Sequence, residues 1–292
     1  MQERLISVEL DDWQANGVDS AALAAALEDG KVLYFPKLAF AMSEAEQRFL
    51  SPAWSDGKAK NIGYDGAIDK LKGAQGDAAD LAALKAMVKR YRESSINLIT
   101  SLFPHYRQHL RIAQTSFRPS RVEGRVSSWR KDDSRLHVDA FPSRPNHGER
   151  ILRVFNNVNP QGEPRQWRVG QRFDDVAARY LGQIGRPLPG SAALMNALHI
   201  TKSRRSEYDH IMLQLHDRMK ADPDYQANSP QLAFGFPPGS TWVCFSDQTP
   251  HAAMGGQFMF EQTLHLPVNG LHHPECSPLR VLERMRGYRL VA

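Results

Sequence analysis

Three residues of this chain have the types and spacing for metal chemistry. His137-Val138-Asp139 sets an imidazole and a carboxylate two positions apart, and an isolated Pro250-His251 follows far downstream. Two imidazoles and one carboxylate on one face of an ion form the donor set of non-haem iron(II) oxygenases, with open positions for the reactants. In an extended chain residues i and i+2 point the same way, so His137 and Asp139 can reach one ion without distortion. The third ligand must then arrive from another strand folded back alongside. The chain has 11 histidines and 32 acidic residues, so about one His-x-Asp/Glu triplet is expected by chance. The triplet gains meaning only from its surroundings.

Those surroundings have the order of a β-rich oxygenase. His137 follows the polar run Arg130-Lys131-Asp132-Asp133-Ser134-Arg135, where a loop is expected to turn into a strand. Downstream, residues 231–236 and 241–245 read as strands around the turn Pro237-Pro238-Gly239-Ser240, and the loop 246–250 delivers His251. A last strand-like run over 258–266 ends at Pro267. A ligand pair at a strand mouth, a long gap, and a third ligand before a closing hairpin predict an α+β chain with a double-stranded β-helix core. Upstream, Asp19-Ser20 caps a helix through Leu27 that Gly30 ends, and 31–36 reads as a strand. Apolar residues at helical spacing over 77–103, stopped by Pro104, predict a long helix across the back of the sheet. Residues 110–118 read as a strand, and 174–181 and 206–220 as helices. The chain is therefore expected to form one domain: a helix-rich support over 1–109, a core over 110–270 with a helical insertion near 172–221, and a tail over 271–292.

Composition fits a soluble enzyme. The chain has 292 residues, 41% of them hydrophobic, and a mean hydropathy of −0.49. No run approaches the roughly 18 apolar residues that a membrane span needs. The opening Met1-Gln2-Glu3-Arg4-Leu5 lacks the plan of a signal peptide. With only Cys244 and Cys276, a disulfide is not expected, and the cytoplasm is the expected compartment. A net charge of +5 suits an anionic partner.

The segments 136–145, from Leu136-His137-Val138-Asp139 through Arg144-Pro145, and 150–160, Arg150-Ile151-Leu152-Arg153-Val154-Phe155-Asn156-Asn157-Val158-Asn159-Pro160, resemble the Kdo hydroxylase family. Thr249-Pro250-His251-Ala252-Ala253-Met254 and Glu261-Gln262-Thr263 extend the resemblance over nearly the whole chain. Kdo is 3-deoxy-D-manno-oct-2-ulosonic acid, the inner-core sugar of lipopolysaccharide. The resemblance implies an enzyme using iron(II), 2-oxoglutarate and dioxygen to hydroxylate C3 of Kdo on Kdo-lipid A, giving the octulosonic acid Ko. It also implies work at the cytoplasmic face of an inner membrane. His137, Asp139 and His251 would hold the metal and leave positions for 2-oxoglutarate and dioxygen.

Many relatives carry a basic residue shortly after the last histidine to hold the distal carboxylate of 2-oxoglutarate. Here 261–266 read Glu-Gln-Thr-Leu-His-Leu, and no arginine follows until Arg280. Arg153 is the expected anchor instead, since its rigid fork suits a carboxylate. Asn156, Thr263 and His265 are expected polar helpers. Arginines crowd both sides of the metal motif, and Arg118, Arg125, Arg144 and Arg150 are expected to meet the acidic groups of the lipid, with Lys202, Arg204 and Arg205 as further contacts. The same charges would hold the protein peripherally to an anionic leaflet. Two alternatives stay open on residues alone: an iron/2-oxoglutarate oxygenase with another substrate, and a non-catalytic barrel binding an anionic glycan. Trp129-Arg130 and Trp167-Arg168 belong to no nucleic-acid module, so no nucleic-acid partner is expected.

Overall fold

The computed structural model describes residues 2–124 and 127–291. The first part of the chain runs β1 (Leu5–Ser7), α1 (Ser20–Glu28), β2 (Val32–Phe35), α2 (Glu44–Gln47), β3 (Ile62–Asp65), β4 (Lys70–Lys72) and α3 (Ala78–Leu102). β5 (Arg111–Arg118), β6 (Arg150–Asn157) and β7 (Arg165–Gly170) follow. Next come α4 (Phe173–Tyr180), α5 (Ser191–Ala197), α6 (Glu207–Ala221) and α7 (Pro223–Asn228). The last part holds β8 (Gln231–Phe236), β9 (Thr241–Phe245), β10 (His251–Gly255), β11 (Met259–Leu266) and α8 (Pro278–Arg286). Helix starts are set by carboxylates satisfying free amides: Asp19 accepts from Ala21 and Ala22 at α1, and Asp77 accepts from Asp80 at α3.

The fold is mixed α/β around a large sheet of order β1-β2-β9-β6-β11-β5-β3-β4, in which β1 and β2 are parallel and the other neighbours antiparallel. A second sheet, β10-β7-β8, is antiparallel. An aromatic core joins the two: Phe155, Trp167, Phe236 and Trp242 come from both, with Trp242 stacked on Phe236 at 4.2 Å and on Phe155 at 5.3 Å. The other face of the large sheet carries the helices. Leu84, Met87, Val88 and Tyr91 of α3 pack with Tyr64, Phe117 and Phe260 of β3, β5 and β11.

Two expectations about the ends of the chain need correcting. Residues 1–109 are more than helical support, because β1 to β4 form both edges of the large sheet. Residues 271–292 are more than a tail: α8 buries Leu279, Val281 and Leu282 in the main core. The helical stretch that connects β7 to β8 also extends past 221 into α7, and α4 and α6 bury Val176, Tyr180, Tyr208, Ile211 and Leu215 in that core.

Candidate active site

The ligand-bearing segments are held to each other by their backbones. His137 N–H donates to His251 O at 3.0 Å, His251 N–H returns the bond to His137 O at 2.9 Å, and Asp139 N–H donates to Ser246 O at 2.8 Å. Alternation then sorts the side chains: Leu136 and Val138 enter the core, while His137 and Asp139 line the cavity. The pairing is one isolated bridge rather than a ladder, so 136–139 is extended without being a regular strand. Gly170 lets β7 lie close beneath both segments; a Cβ there would stand 2.5 Å from Leu136 Cδ2 and 2.8 Å from Pro250 Cβ. Gln226 of α7 clamps the same stretch, accepting from Leu136 N–H at 2.7 Å and donating to Leu136 O at 2.9 Å.

The three side chains offer ligand atoms within 4.8 Å of one another, close enough to converge on a single ion. Each imidazole is oriented by its far nitrogen. His137 Nδ1 lies 2.7 Å from Arg135 O and His251 Nδ1 2.9 Å from Thr249 O. A carbonyl can only accept, so Nδ1 carries the proton and Nε2 keeps its lone pair for a metal. Burial drives His137 down to about 4 against the pull of Asp139, and burial lowers His251 as well, so both rings are neutral near pH 7. Trp167 stacks on His251 at 5.1 Å and fixes its plane. For Asp139, burial opposes ionisation, but the neighbouring Arg153 guanidinium outweighs it and holds the carboxyl well below its ordinary value. Asp139 Oδ2 is buried and stands 2.9 Å from Arg153 Nη2, yet makes no properly angled hydrogen bond. A buried anionic oxygen short of partners beside two imidazole lone pairs fits a divalent cation.

These groups open on a cavity of about 780 Å³ between the sheets. Arg153, Thr263 and His265 line it. Arg153 Nη1 pairs with Glu261 Oε1 at 2.5 Å while Nη2 faces Asp139, so the guanidinium sits between two carboxylates. Arg118 lines the cavity from β5 and pairs with the other oxygen of Glu261, and Arg144 and Lys202 stand exposed at its mouth. Arg125 lies outside the described residues.

Asn156 and Arg150 do not reach the cavity. On β6 they have the opposite parity to Arg153, so the pleat turns them away. Asn156 Nδ2 instead donates to Leu38 O, Ser240 O and Thr241 Oγ1. Arg150 is fully buried, pairs with Asp247 at 2.8 Å, donates to Gln248 Oε1 at 2.5 Å and covers the Phe245 ring. It positions the loop that delivers His251 and cannot meet substrate.

Several cavity residues escape the sequence reading. Glu261 is buried and charged, because Arg118 and Arg153 outweigh its desolvation. Its even spacing with Thr263 and His265, which places all three on one side of a strand, is the signal that could have found it. Lys60 and Asn61, just before β3, arrive from far away in sequence, and Lys60 pairs with Asp133, which also lines the cavity. Arg165 contributes a second buried guanidinium, bonded to Gly256 O at 2.7 Å.

A family model described as 3-deoxy-D-manno-oct-2-ulosonic acid (Kdo) hydroxylase matches residues 11–289. Among solved structures, the Kdo hydroxylase KdoO, a non-haem Fe(II) alpha-ketoglutarate dependent dioxygenase, is similar in its complex with cobalt(II): 50% identity over 99% of this chain and 98% of that one, TM-score 0.96. Its complex with alpha-ketoglutarate and Fe(III) gives 49% identity over 98% and 97%, TM-score 0.95. Its complex with succinate and Fe(III) gives 49% over 99% and 98%, TM-score 0.95. The curated protein sequences compared contain no match. With the match spanning nearly its whole length, this chain belongs to the Kdo hydroxylase family.

Proposed function

We propose that the protein hydroxylates C3 of Kdo in Kdo-lipid A, giving Ko, with iron(II) on His137, Asp139 and His251 and 2-oxoglutarate as cosubstrate. The observation that carries the reading is the convergence of these three residues on one cavity in a chain half identical to a Kdo hydroxylase crystallised with both metal and cosubstrate. We read the two facing sheets as a double-stranded β-helix.

When bound, iron with 2-oxoglutarate and dioxygen supplies oxidative decarboxylation and oxygen insertion into an unactivated C–H bond. The protein's own part is orientation and exclusion. Arg135 O and Thr249 O hold the imidazole tautomers, and Arg153 steadies Asp139. Arg153 is also our assigned partner for the distal carboxylate of 2-oxoglutarate, being a buried cation beside a metal ligand. Phe155, Trp167 and Met259 form an apolar wall that keeps water from the reacting centre. Arg118, Arg144 and Lys202 face the route by which an anionic sugar would enter. No helix among the described residues is long and apolar enough to cross a membrane, and we place the protein peripherally at the cytoplasmic face of the inner membrane.

The test is incubation of purified protein with iron(II), 2-oxoglutarate, dioxygen and Kdo-lipid A, followed by mass spectrometry. One added oxygen on the Kdo fragment, with matching succinate, is expected. Succinate formation with no oxygen in any Kdo-containing lipid would leave an oxygenase and remove this substrate.

A further inference from the structure

The segment 185–206 does not behave like the rest of the surface. Leu188, Leu194, Leu198 and Ile200 are 79%, 61%, 61% and 56% exposed, whereas large apolar side chains elsewhere are mostly buried. α5 buries none of its residues. Leu194 and the helix-ending Leu198 lie one turn apart on the same face. His199 adopts a left-handed φ of 55°, and Ile200 N–H bonds back to Met195 O at 2.9 Å, so the chain hooks around the helix end and brings out Ile200. A helix this short gains nothing from propensity alone, and its apolar side chains point away from the core. The same stretch has no acidic residue and carries Arg186, Lys202, Arg204 and Arg205.

Its place is equally specific. Lys202 N–H donates to Ser143 O at 2.9 Å and Arg205 Nη2 to Pro142 O at 2.6 Å. Pro142, Ser143 and Lys202 all line the mouth of the active-site cavity. Exposed aliphatic side chains flanked in sequence by cations, in a segment fixed beside the opening of the cavity, match an anionic leaflet: the leucines reach the acyl boundary and the basic groups meet the headgroups.

We propose that residues 185–206 are the membrane-docking element, seating the cavity mouth against an anionic lipid surface by inserting Leu188, Leu194, Leu198 and Ile200. The identity of that surface as the membrane holding the acceptor rests on the function proposed above. Charge alone would make binding vanish with salt; insertion makes part of it persist.

The test is vesicle co-sedimentation of the whole protein against Leu194→Ser/Leu198→Ser, using phosphatidylethanolamine vesicles with phosphatidylglycerol and neutral phosphatidylcholine vesicles. Wild type should prefer the anionic vesicles and retain part of its binding in high salt. The variant, with an unchanged unfolding temperature, should bind about tenfold more weakly or worse. It should also hydroxylate a deacylated, water-soluble Kdo acceptor at the wild-type rate while losing turnover of vesicle-borne Kdo-lipid A. Equal vesicle binding by the two proteins overturns the proposal, as does complete release of wild type by salt. Light scattering that shows wild-type dimers, monomeric variant and no vesicle binding assigns the leucines to a second copy and overturns it too. Failure of wild type on the soluble acceptor, with vesicle binding intact, strikes the substrate reading and leaves the docking surface standing.

Discussion

Arg153 stands between Asp139 and Glu261, and each substitution around it follows from that position. Arg153→Ala should raise the KM for 2-oxoglutarate by roughly 10- to 150-fold, the value of a charge-assisted pair of about 1.5–3 kcal/mol. Iron affinity should fall as well, by up to roughly 10- to 100-fold, because Asp139 loses the cation that steadies it, so the KM is read at saturating iron. An unchanged KM would move the anchor to another cavity residue, with Arg165 next. His251→Ala removes a ligand outright; bound iron and hydroxylation should both be lost, and near-wild-type turnover with measured iron would refute the third ligand. His265 offers a test through pH. Burial, then Arg111 and Arg153, push it down to about 4, and its Nδ1 is buried without a hydrogen bond. Its ordinary value near 6.5 applies in the unfolded chain, which therefore binds more protons between these values. The stability tied to neutral His265 is complete above pH 6.5 and declines as pH falls toward 4. His265→Gln should flatten the metal-free protein's loss of stability over that window by about 1–2 kcal/mol, discounted for solvent in the cavity. Parallel denaturation curves for the two proteins would show that the histidine is not the group responsible.

At the level of elements, what could be read from sequence was whatever depends on local pattern. α1 and α3 begin at the capping aspartates, and β5, β8, β9 and β11 fall where alternation and turn residues place them. The convergence of His137 and Asp139 on one cavity was legible for the same reason, since two-residue spacing is a local property of extended chain. Arg150 and Asn156 show where such reading stops. Both lie on the same strand as Arg153, and strand composition does not say which parity faces the cavity; pairing with β9 and β11 decides that. Gln226 was invisible because its role exists only once α7 is brought against Leu136. Losing the two hydrogen bonds in Gln226→Leu leaves Leu136 N–H and O without those partners and loosens the segment carrying His137. By analogy with other groups that orient metal ligands, iron affinity should fall by roughly 10- to 100-fold. Iron titration of the apoprotein measures this, and an unchanged dissociation constant would show that the His137–His251 bridge is sufficient by itself.

Over the whole molecule, the cations divide into two populations that answer salt differently. Arg153 and Arg165 are buried between the sheets, where ions do not follow. Arg144 and Lys202 are exposed at the mouth, and the protein carries a net charge of +5. Screening acts on exposed charges over about 8–10 Å at ordinary ionic strength and barely touches buried pairs. Raising salt should therefore increase the apparent KM for Kdo-lipid A much more than that for 2-oxoglutarate. Membrane retention complicates the comparison, because exposed leucines beside the mouth would hold the protein near its lipid after the charges are screened. A deacylated Kdo acceptor removes that contribution and isolates the mouth cations, so its KM should show the steeper salt dependence. Arg144→Gln together with Lys202→Gln should flatten that slope and leave the 2-oxoglutarate KM as it was. Equal slopes for acceptor and cosubstrate in wild type, or a steep slope surviving both substitutions, would mean that the acidic sugar is recognised deeper in the cavity, with Arg118 the next cation along the wall.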